Sequence, residues 1–176
     1  MTRRHATTPP SADDPKRLPP CARGVHFLAV PVIEAIVVGT DGSPTAAVAV
    51  REAVDLAKSL GARLHVVSAF QPLSGVRVAG EGGDPELAAA AGPRVQVDAM
   101  LEQAAGAAHA AGVEADCYAR RGDPAEAILD VAAEQGASLI VVGSKGMHGT
   151  RRFLLGSVPD KISHHAPCSV LIVRTD

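Results

Sequence analysis

From about residue 32 onward, hydrophobic positions follow two alternating patterns. Short continuous apolar runs such as Ile36–Val38 and Leu139–Val142 are typical of strands buried on both faces. Between such runs lie longer segments, for example residues 44–60, in which apolar residues recur at helical spacing opposite polar ones. Strands that alternate with helices predict an α/β fold, in which right-handed crossovers join a parallel sheet covered by helices on both faces.

Local signals at the segment ends support this assignment. Ser43 and Pro44 are a typical N-cap and first helical residue, and Gly61 is a typical C-terminal stop. Asp123 and Glu126 have the spacing of a capping box at the start of the third helix. The predicted strands are Ile36–Val38, Leu64–Ser68, Glu114–Arg120, Leu139–Val142 and Ser169–Val173, with helices over 44–60, 94–111, from Asp123 to near Gly136, and from Gly156-Ser157 to Pro167.

Two regions depart from the regular pattern. Residues 1–31 hold five basic and two acidic residues with several prolines, and little that could form a core. We predict a disordered tail there, either a docking arm or a dispensable leader, and a single domain over residues 32–176. Residues 71–93 contain several glycines and prolines and predict a lid-like or partly helical connection.

The chemistry of the chain is concentrated in a glycine-rich segment after the fourth predicted strand. Gly143-Ser-Lys-Gly146 is followed by nine residues and then by Gly156-Ser157, where a helix is predicted to begin. Glycines let a backbone approach a ligand closely, and the N–H groups of a helix N-terminus attract anions. The segment is neither a Walker A loop nor a dinucleotide fingerprint. It predicts a phosphate cradle, and the alternative is a β-to-α connection that binds nothing.

Several side chains near this segment allow more than one interpretation. Lys145, Arg151 and Arg152 are either phosphate contacts or solvated surface charges. Ser157 suits both an N-cap and a phosphate ligand. Asp41, which follows the first predicted strand, either contacts the ligand or only stabilises the turn.

Composition and charge exclude several classes of function. The formal net charge is −2, aromatic residues make up 2% of the chain and tryptophan is absent, so nucleic acid is not an expected partner. No apolar run is long enough to span a membrane. Cys21, Cys117 and Cys168 match neither a zinc pattern nor a disulfide framework, which fits a reducing cytoplasm, and the latter two are expected to be buried thiols.

Catalysis and metal binding have little support in the sequence. His148 has no carboxylate at ligand spacing, and the adjacent His164 and His165 point about 100° apart on a helix. Near the glycine-rich segment, Asp160 is the only acid that could serve a hydrolase or kinase. We therefore expect no catalytic residues and at most slow turnover of a bound ligand. A phospho-acceptor receiver domain is disfavoured because Asp41 has no acidic partner beside it.

Taken together, these motifs resemble those of the universal stress protein family. The resemblance covers about residues 33–175 and rests on Gly39-Thr-Asp-Gly-Ser43, Gly122-Asp-Pro124, the glycine-rich segment and Ala166-Pro-Cys-Ser-Val-Leu-Ile-Val173. It implies a Rossmann-like, five-stranded sheet in the order 3-2-1-4-5. In the ATP-binding branch of the family the spacing Gly-x-x-Gly-x9-Gly-Ser/Thr recurs, and it is complete here.

The resemblance also implies a ligand and the residues that hold it. It implies that Thr40 and Asp41 meet adenine and ribose, Val66 flanks the base, and Val142 and Gly143 lie against the nucleoside. Phosphates are then held at Gly146, Gly156, Ser157 and Val158. The implied ligand is ATP, with Mg²⁺ as its companion ion, or cyclic AMP.

A partner is implied in the same way. Members of the family commonly dimerise by antiparallel pairing of their last strands, so Val170, Leu171, Ile172 and Val173 are the expected seam. Such pairing would cover an apolar edge strand that otherwise invites uncontrolled association. Three functions follow as alternatives: an ATP-binding stress or regulatory protein with little or no turnover, a cyclic AMP-binding or buffering protein, and a slow ATP hydrolase.

Overall fold

The computed structural model describes residues 32–71, 85–145 and 155–175. The predicted tail (1–31) and most of the predicted lid-like connection lie outside the described residues. Within them, five strands alternate with four helices. They are β1 (Ala35–Gly39), α1 (Pro44–Leu60), β2 (Arg63–Phe70), α2 (Pro85–Ala110), β3 (Ala115–Arg121), α3 (Pro124–Glu134), β4 (Leu139–Gly143), α4 (Ser157–His165) and β5 (Ser169–Val173).

All five strands run parallel in one sheet with the order β3-β2-β1-β4-β5, which confirms the predicted fold class. Strand β1 lies in the middle, where Val37 is opposite His65 of β2 on one side and Ile140 of β4 on the other. The strand order reverses between β1 and β4. In open parallel sheets, such a reversal opens a crevice at the carboxyl ends of the strands.

Two apolar cores cover the two faces of the sheet. Ile36 and Val38 of β1 point to the face packed by α1 and α2, whereas Val37 between them points to the face packed by α3 and α4. All three are fully buried. Burial on both faces explains why the strand reads as a continuous apolar run rather than as an alternating one.

Side chains cap the N-termini of two helices. Ser43 Oγ accepts a hydrogen bond from the N–H of Ala46 at the start of α1, and Asp123 Oδ1 accepts from Ala125 and Glu126 at the start of α3. The predicted capping box is only half present, because the Glu126 carboxylate accepts from Lys161 of α4 instead.

Helix α2 is longer than its prediction. It begins at Pro85 rather than near residue 94, and Pro93 lies inside it. A proline removes one N–H donor from a helix, but neighbouring turns can hold the segment helical. In α2 the turns after Pro93 bury Val97 and Leu101 in the core.

Helices α1 to α4, together with the rest of the described chain, include no segment long and apolar enough to cross a bilayer.

Candidate functional site

A cleft of about 480 Å³ opens at the carboxyl ends of β1, β2 and β4. Its walls come from the β1–α1 loop, the end of β2, the first turns of α3, the end of β4 and the start of α4. The lining residues are Gly39, Thr40, Asp41, Ala46, Val67, Ala69, Pro124, Ile128, Val142, Gly143, Lys145, Gly156, Ser157, Val158 and Pro159. The cleft therefore lies at the topological switch point of the sheet.

The β1–α1 loop is shaped by the side chains that it presents to the cleft. Thr40 Oγ1 accepts from the N–H of Gly42 at 3.2 Å, and Asp41 Oδ1 accepts from the N–H of Ser43 at 3.0 Å. The Thr40 N–H donates to the carbonyl of Val67, which extends the pairing of β1 and β2 past the strand end. Asp41 thus stabilises the turn and also lines the cleft, so the two interpretations of this residue are compatible.

Gly39 lets α3 close the floor of the cleft. A β-carbon at this position would lie 2.3 Å from Cδ1 of Ile128 and 3.7 Å from Cγ1 of Val142. Real β-carbons do not approach other atoms as closely as the first distance, so Ile128 occupies the space that the missing side chain leaves. The floor is consequently apolar and closely packed.

One predicted site residue lies on the wrong face of the sheet. Val66 is fully buried in the core beneath α1 and α2, whereas its neighbour Val67 lines the cleft together with Ala69. Successive strand residues point to opposite faces, so an error of one position moves a side chain from one core to the other. The expectation that Val66 flanks a base does not match this placement.

The N-terminus of α4 faces the cleft without a side-chain cap. Gly156 is the N-cap residue and, within the described chain, no side chain accepts a hydrogen bond there. Ser157 is the first helical residue and not the N-cap, so the capping role considered for its hydroxyl is wrong. Ser157 and Val158 both line the cleft. Uncapped N–H groups at the positive end of a helix favour an anion.

Ser144 joins the two ends of the glycine-rich segment. Its carbonyl accepts from the N–H of Gly156 at 3.0 Å, and its own N–H donates to the carbonyl of Val173 at 2.7 Å. Its hydroxyl accepts from the N–H of Thr175. The approach of α4 to the cleft is therefore set by backbone hydrogen bonds to the ends of β4 and β5.

Formal charge in the cleft is sparse. Among the described lining residues, Lys145 is the only cation and Asp41 the only acid. The predicted phosphate contact Gly146 and the cations Arg151 and Arg152 lie outside the described residues. What the described residues present is an apolar slot with a lysine and a helix N-terminus at one side.

An ion cluster outside the cleft connects the two helices that form its wall. Lys161 Nζ of α4 lies 3.2 Å from Oδ1 of Asp123, the N-cap residue of α3, and 2.9 Å from Oε1 of Glu126 in the first turn of α3. Hydrogen bonds from the Glu126 N–H and the Lys161 side chain hold the pKa of Asp123 below its usual value. These groups are substantially exposed, so the cluster aligns α3 and α4 more than it stabilises them.

The histidines and acid considered for catalysis do not converge on the cleft. His164 Nδ1 lies 2.9 Å from the backbone carbonyl of Asp160, so this ring bonds its own helix. Asp160 and His165 are exposed in α4, and His148 lies outside the described residues. In residues 32–71, 85–145 and 155–175 no group of three His, Cys, Asp or Glu side chains could hold a metal ion.

A buried histidine lies on the α3 face of the sheet. His65 is 1% exposed, its Nδ1 lies 3.3 Å from the Tyr118 hydroxyl and 3.5 Å from Asp116 Oδ2, and its Nε2 has no hydrogen-bond partner among the described residues. Burial lowers its pKa and outweighs the opposing effect of Asp116. His65 lies between Leu64 and Val66 in β2, and nothing in the sequence singled it out.

The cysteines are less buried than predicted. Cys117 is exposed and Cys168 half-buried, and neither forms a disulfide. Desolvation of the sulfur atoms still raises the pKa of both thiols, and Asp116 adds to the effect on Cys117. A raised pKa leaves less of the reactive thiolate at neutral pH.

The structure brings together seven of the nine predicted site residues. They are Thr40, Asp41, Val142, Gly143, Gly156, Ser157 and Val158. The prediction missed Gly39, Val67 and Ile128. Gly39 was visible as the first glycine after an apolar run, whereas Ile128 required knowledge of how α3 crosses the sheet.

These features define an α/β protein with an anion-favouring cleft at the switch point of its sheet. The model of the universal stress protein family matches residues 33–174, so the chain belongs to this family. The expectation drawn from the motifs is confirmed at the level of the family.

Relatives support the assignment over most of the chain. Universal stress protein YxiE of Bacillus subtilis is 37% identical over 148 residues, which cover 79% of this chain and 97% of that protein. A solved universal stress protein in complex with cAMP is 30% identical, with a TM-score of 0.61 over 81% of this chain and 98% of its own. The universal stress protein from Archaeoglobus fulgidus in complex with dAMP is 24% identical, with a TM-score of 0.57 over 80% of this chain and 98% of its own. At this identity the similarity concerns the fold alone.

Proposed function

We propose that the cleft binds an adenine nucleotide, with ATP as the ligand and cyclic AMP as the alternative. The observation that carries the proposal is the N-terminus of α4, which has no side-chain cap within the described chain and opens into a cleft with an apolar floor. A nucleotide combines an apolar, planar base with an anionic phosphate end. These two parts correspond to the two kinds of surface in the cleft.

The expected orientation follows from the lining. Val67, Ala69 and Ile128 offer the base an apolar slot, and the Asp41 carboxylate can accept hydrogen bonds from a ribose hydroxyl. The phosphates then lie toward Gly156 and Ser157, where backbone N–H groups and Lys145 provide positive potential. The solved relative with cAMP, 30% identical over four-fifths of the chain, supports an adenosine ligand in this family.

Cyclic AMP remains the second candidate because of that same relative. Both nucleotides share the adenosine part and differ in how many phosphates follow it. Mg²⁺, which takes oxygen ligands, would accompany ATP and neutralise part of its phosphate charge.

We further propose that the protein binds its nucleotide with little or no turnover. Phosphoryl transfer needs a group to hold the metal ion and another to orient the attacking oxygen. The acid that lines the described part of the cleft is Asp41, whose carboxylate already accepts from the N–H of Ser43. Fast phosphate release that disappears in an Asp160→Asn or Ser157→Ala variant would contradict this part of the proposal.

The first experiment identifies the ligand without choosing it in advance. The purified chain is denatured and the released small molecules are analysed by mass spectrometry, and calorimetry then compares ATP, ADP and cyclic AMP with and without Mg²⁺. Recovery or tight binding of an adenine nucleotide is the expected result. Recovery of a flavin or nicotinamide, or no binding of any adenine nucleotide, would overturn the proposal.

A variant at the start of α4 tests the site itself. A β-carbon at Gly156 would lie 3.4 Å from the Ser144 carbonyl oxygen, an ordinary contact, and the backbone there (φ −65°, ψ 158°) suits any residue. Gly156→Val should therefore fold but lose nucleotide binding, because its methyl groups crowd the phosphate end. Gly106→Val in α2 is the matched control, since nothing lies within 4 Å of a β-carbon there. Unchanged affinity in Gly156→Val would show that phosphates bind elsewhere.

We also propose a homodimer formed through β5. This strand is at the edge of the sheet, and Val170, Leu171, Ile172 and Val173 are only partly buried. Antiparallel pairing of two copies would satisfy the edge N–H and C=O groups. Sedimentation velocity over a range of concentrations tests this, and a monomer throughout would contradict it.

The free thiols of Cys117 and Cys168 fit a reducing, cytoplasmic setting.

A further inference from the structure

The β1–α1 loop is in contact with a methionine on α2. The three atoms nearest to the position of a β-carbon on Gly42 all belong to Met100: Sδ at 2.2 Å, Cγ at 2.8 Å and Cε at 3.6 Å. The thioether therefore fills the space that this glycine leaves. Met100 is partly buried and packs against the core beneath α1 and α2.

Gly42 determines the path of the loop. Its φ of +74° lies in the left-handed region that favours glycine. The N–H of Gly42 donates to Thr40 Oγ1, and the N–H of Ser43 donates to Asp41 Oδ1. The backbone conformation at Gly42 and the positions of these two cleft side chains are thus parts of one hydrogen-bonded turn.

We propose that Met100 is a positioning residue for the cleft. By occupying the open side of Gly42, it restricts the turn to one conformation and so fixes where Thr40 and Asp41 lie. Their role as ligand contacts rests on the proposed function, but the effect of Met100 on the turn does not. Met100 does not line the cleft, so it acts only through the loop.

The physical reason is conformational entropy. A glycine has the largest backbone freedom of any residue, and an exposed glycine turn samples several conformations. Contact with the thioether removes some of that freedom before a ligand arrives. Without this contact, the ligand must order the turn when it binds. The free energy of that ordering then weakens the binding.

Three variants of the full chain separate this role from a general packing role. Met100→Ala removes the contact, and Met100→Leu restores an apolar side chain of similar size. Leu101→Ala is the control on the same helix. Leu101 is 4% exposed, and its carbonyl accepts from the Cys117 thiol on β3. Each variant is measured for amide hydrogen exchange in the nucleotide-free protein, for ATP affinity by calorimetry, and for its free energy of unfolding.

We expect Met100→Ala to speed exchange at the Gly42 and Ser43 amides and to weaken ATP binding by roughly three- to thirtyfold. Met100→Leu should restore both values to near those of the wild type. Leu101→Ala should lower the free energy of unfolding at least as much as Met100→Ala does. It should not speed exchange selectively at the Gly42 and Ser43 amides.

The outcomes distinguish this inference from the proposed function. If the loop amides exchange no faster in Met100→Ala than in Leu101→Ala, Met100 does not position the turn. If amide exchange changes but ATP affinity does not, the conformation of the turn does not affect ligand binding. The inference that Met100 positions the cleft for its ligand is then overturned. If the wild type binds no adenine nucleotide, the proposed function fails, while the exchange measurement still decides the role of Met100.

Discussion

Gly39→Ala is the substitution whose effect on the cleft can be worked out most directly. The new β-carbon would lie 2.3 Å from Ile128 Cδ1 and 3.2 Å from its Cγ1. Carbon atoms pack at roughly 3.5–4.0 Å, so the Ile128 methyl must move by about 1 Å or more. Val131 and Ala132 fill the core around α3 and are fully buried. The direction left open to the methyl is the cleft.

The magnitude follows from where the methyl goes. Overpacking a closed core costs about 1–3 kcal/mol, and the nearby cleft should keep the loss of unfolding free energy near the lower end of that range. The proposed binding of a nucleotide carries the larger cost, because the ligand must push the methyl back or bind over it. A loss of about 1–2 kcal/mol in binding free energy corresponds to roughly five- to thirtyfold weaker affinity.

The assay is calorimetric titration with ATP, supported by thermal unfolding of each variant. Ile128→Val removes the terminal methyl, Cδ1, and alone it should cost about 0.5–1.5 kcal/mol of stability. The double variant Gly39→Ala, Ile128→Val should recover affinity to within about threefold of the wild type. Wild-type affinity in Gly39→Ala alone, or no recovery in the double variant, would refute the reasoning that Ile128 sets the floor.

Two further predictions concern stability rather than the ligand. The free energy of unfolding should fall as pH drops below about 6.5, because the unfolded chain then protonates its histidine while burial lowers the pKa of His65 in the folded state. A His65→Gln variant should lose that part of the pH dependence in urea titrations, and an unchanged slope would mean that another group is responsible. Asp123→Ala should cost about 1 kcal/mol in the same assay, since Asp123 Oδ1 accepts two N–H groups of α3, while Asp123→Asn should retain most of that stability. Because folding lowers the pKa of Asp123, its carboxylate contributes fully to the free energy of unfolding above pH 3.8, and this contribution is lost as pH falls through the lowered pKa. Equal losses of stability in Asp123→Ala and Asp123→Asn would argue against capping.

Patterns local in the sequence predicted the elements of the fold well. Strands β1 and β4 lie where short apolar runs predicted them, and Ser43 and Asp123 cap helices as their positions predicted. The order of the strands is not a local property, and it followed from the family resemblance. The neighbouring positions of β1 and β4 in the structure confirm it.

The errors have a common physical origin in packing between distant segments. Val66 and Val67 are adjacent and identical, so the sequence could not tell which of them faces the cleft. The contact between Gly39 and Ile128 joins residues far apart in the chain, and only the crossing of α3 over the sheet reveals it. The predicted helix starts at residue 94, just after Pro93, because the linear pattern does not show the core contacts that keep α2 helical on both sides of this proline.

The hydrogen bonds around Ser144 have a consequence for protein engineering. Because this one residue ties the start of α4 to the ends of β4 and β5, three elements of the scaffold keep their relative positions through it. A designer who reshapes the cleft on this sheet should therefore leave Ser144 unchanged.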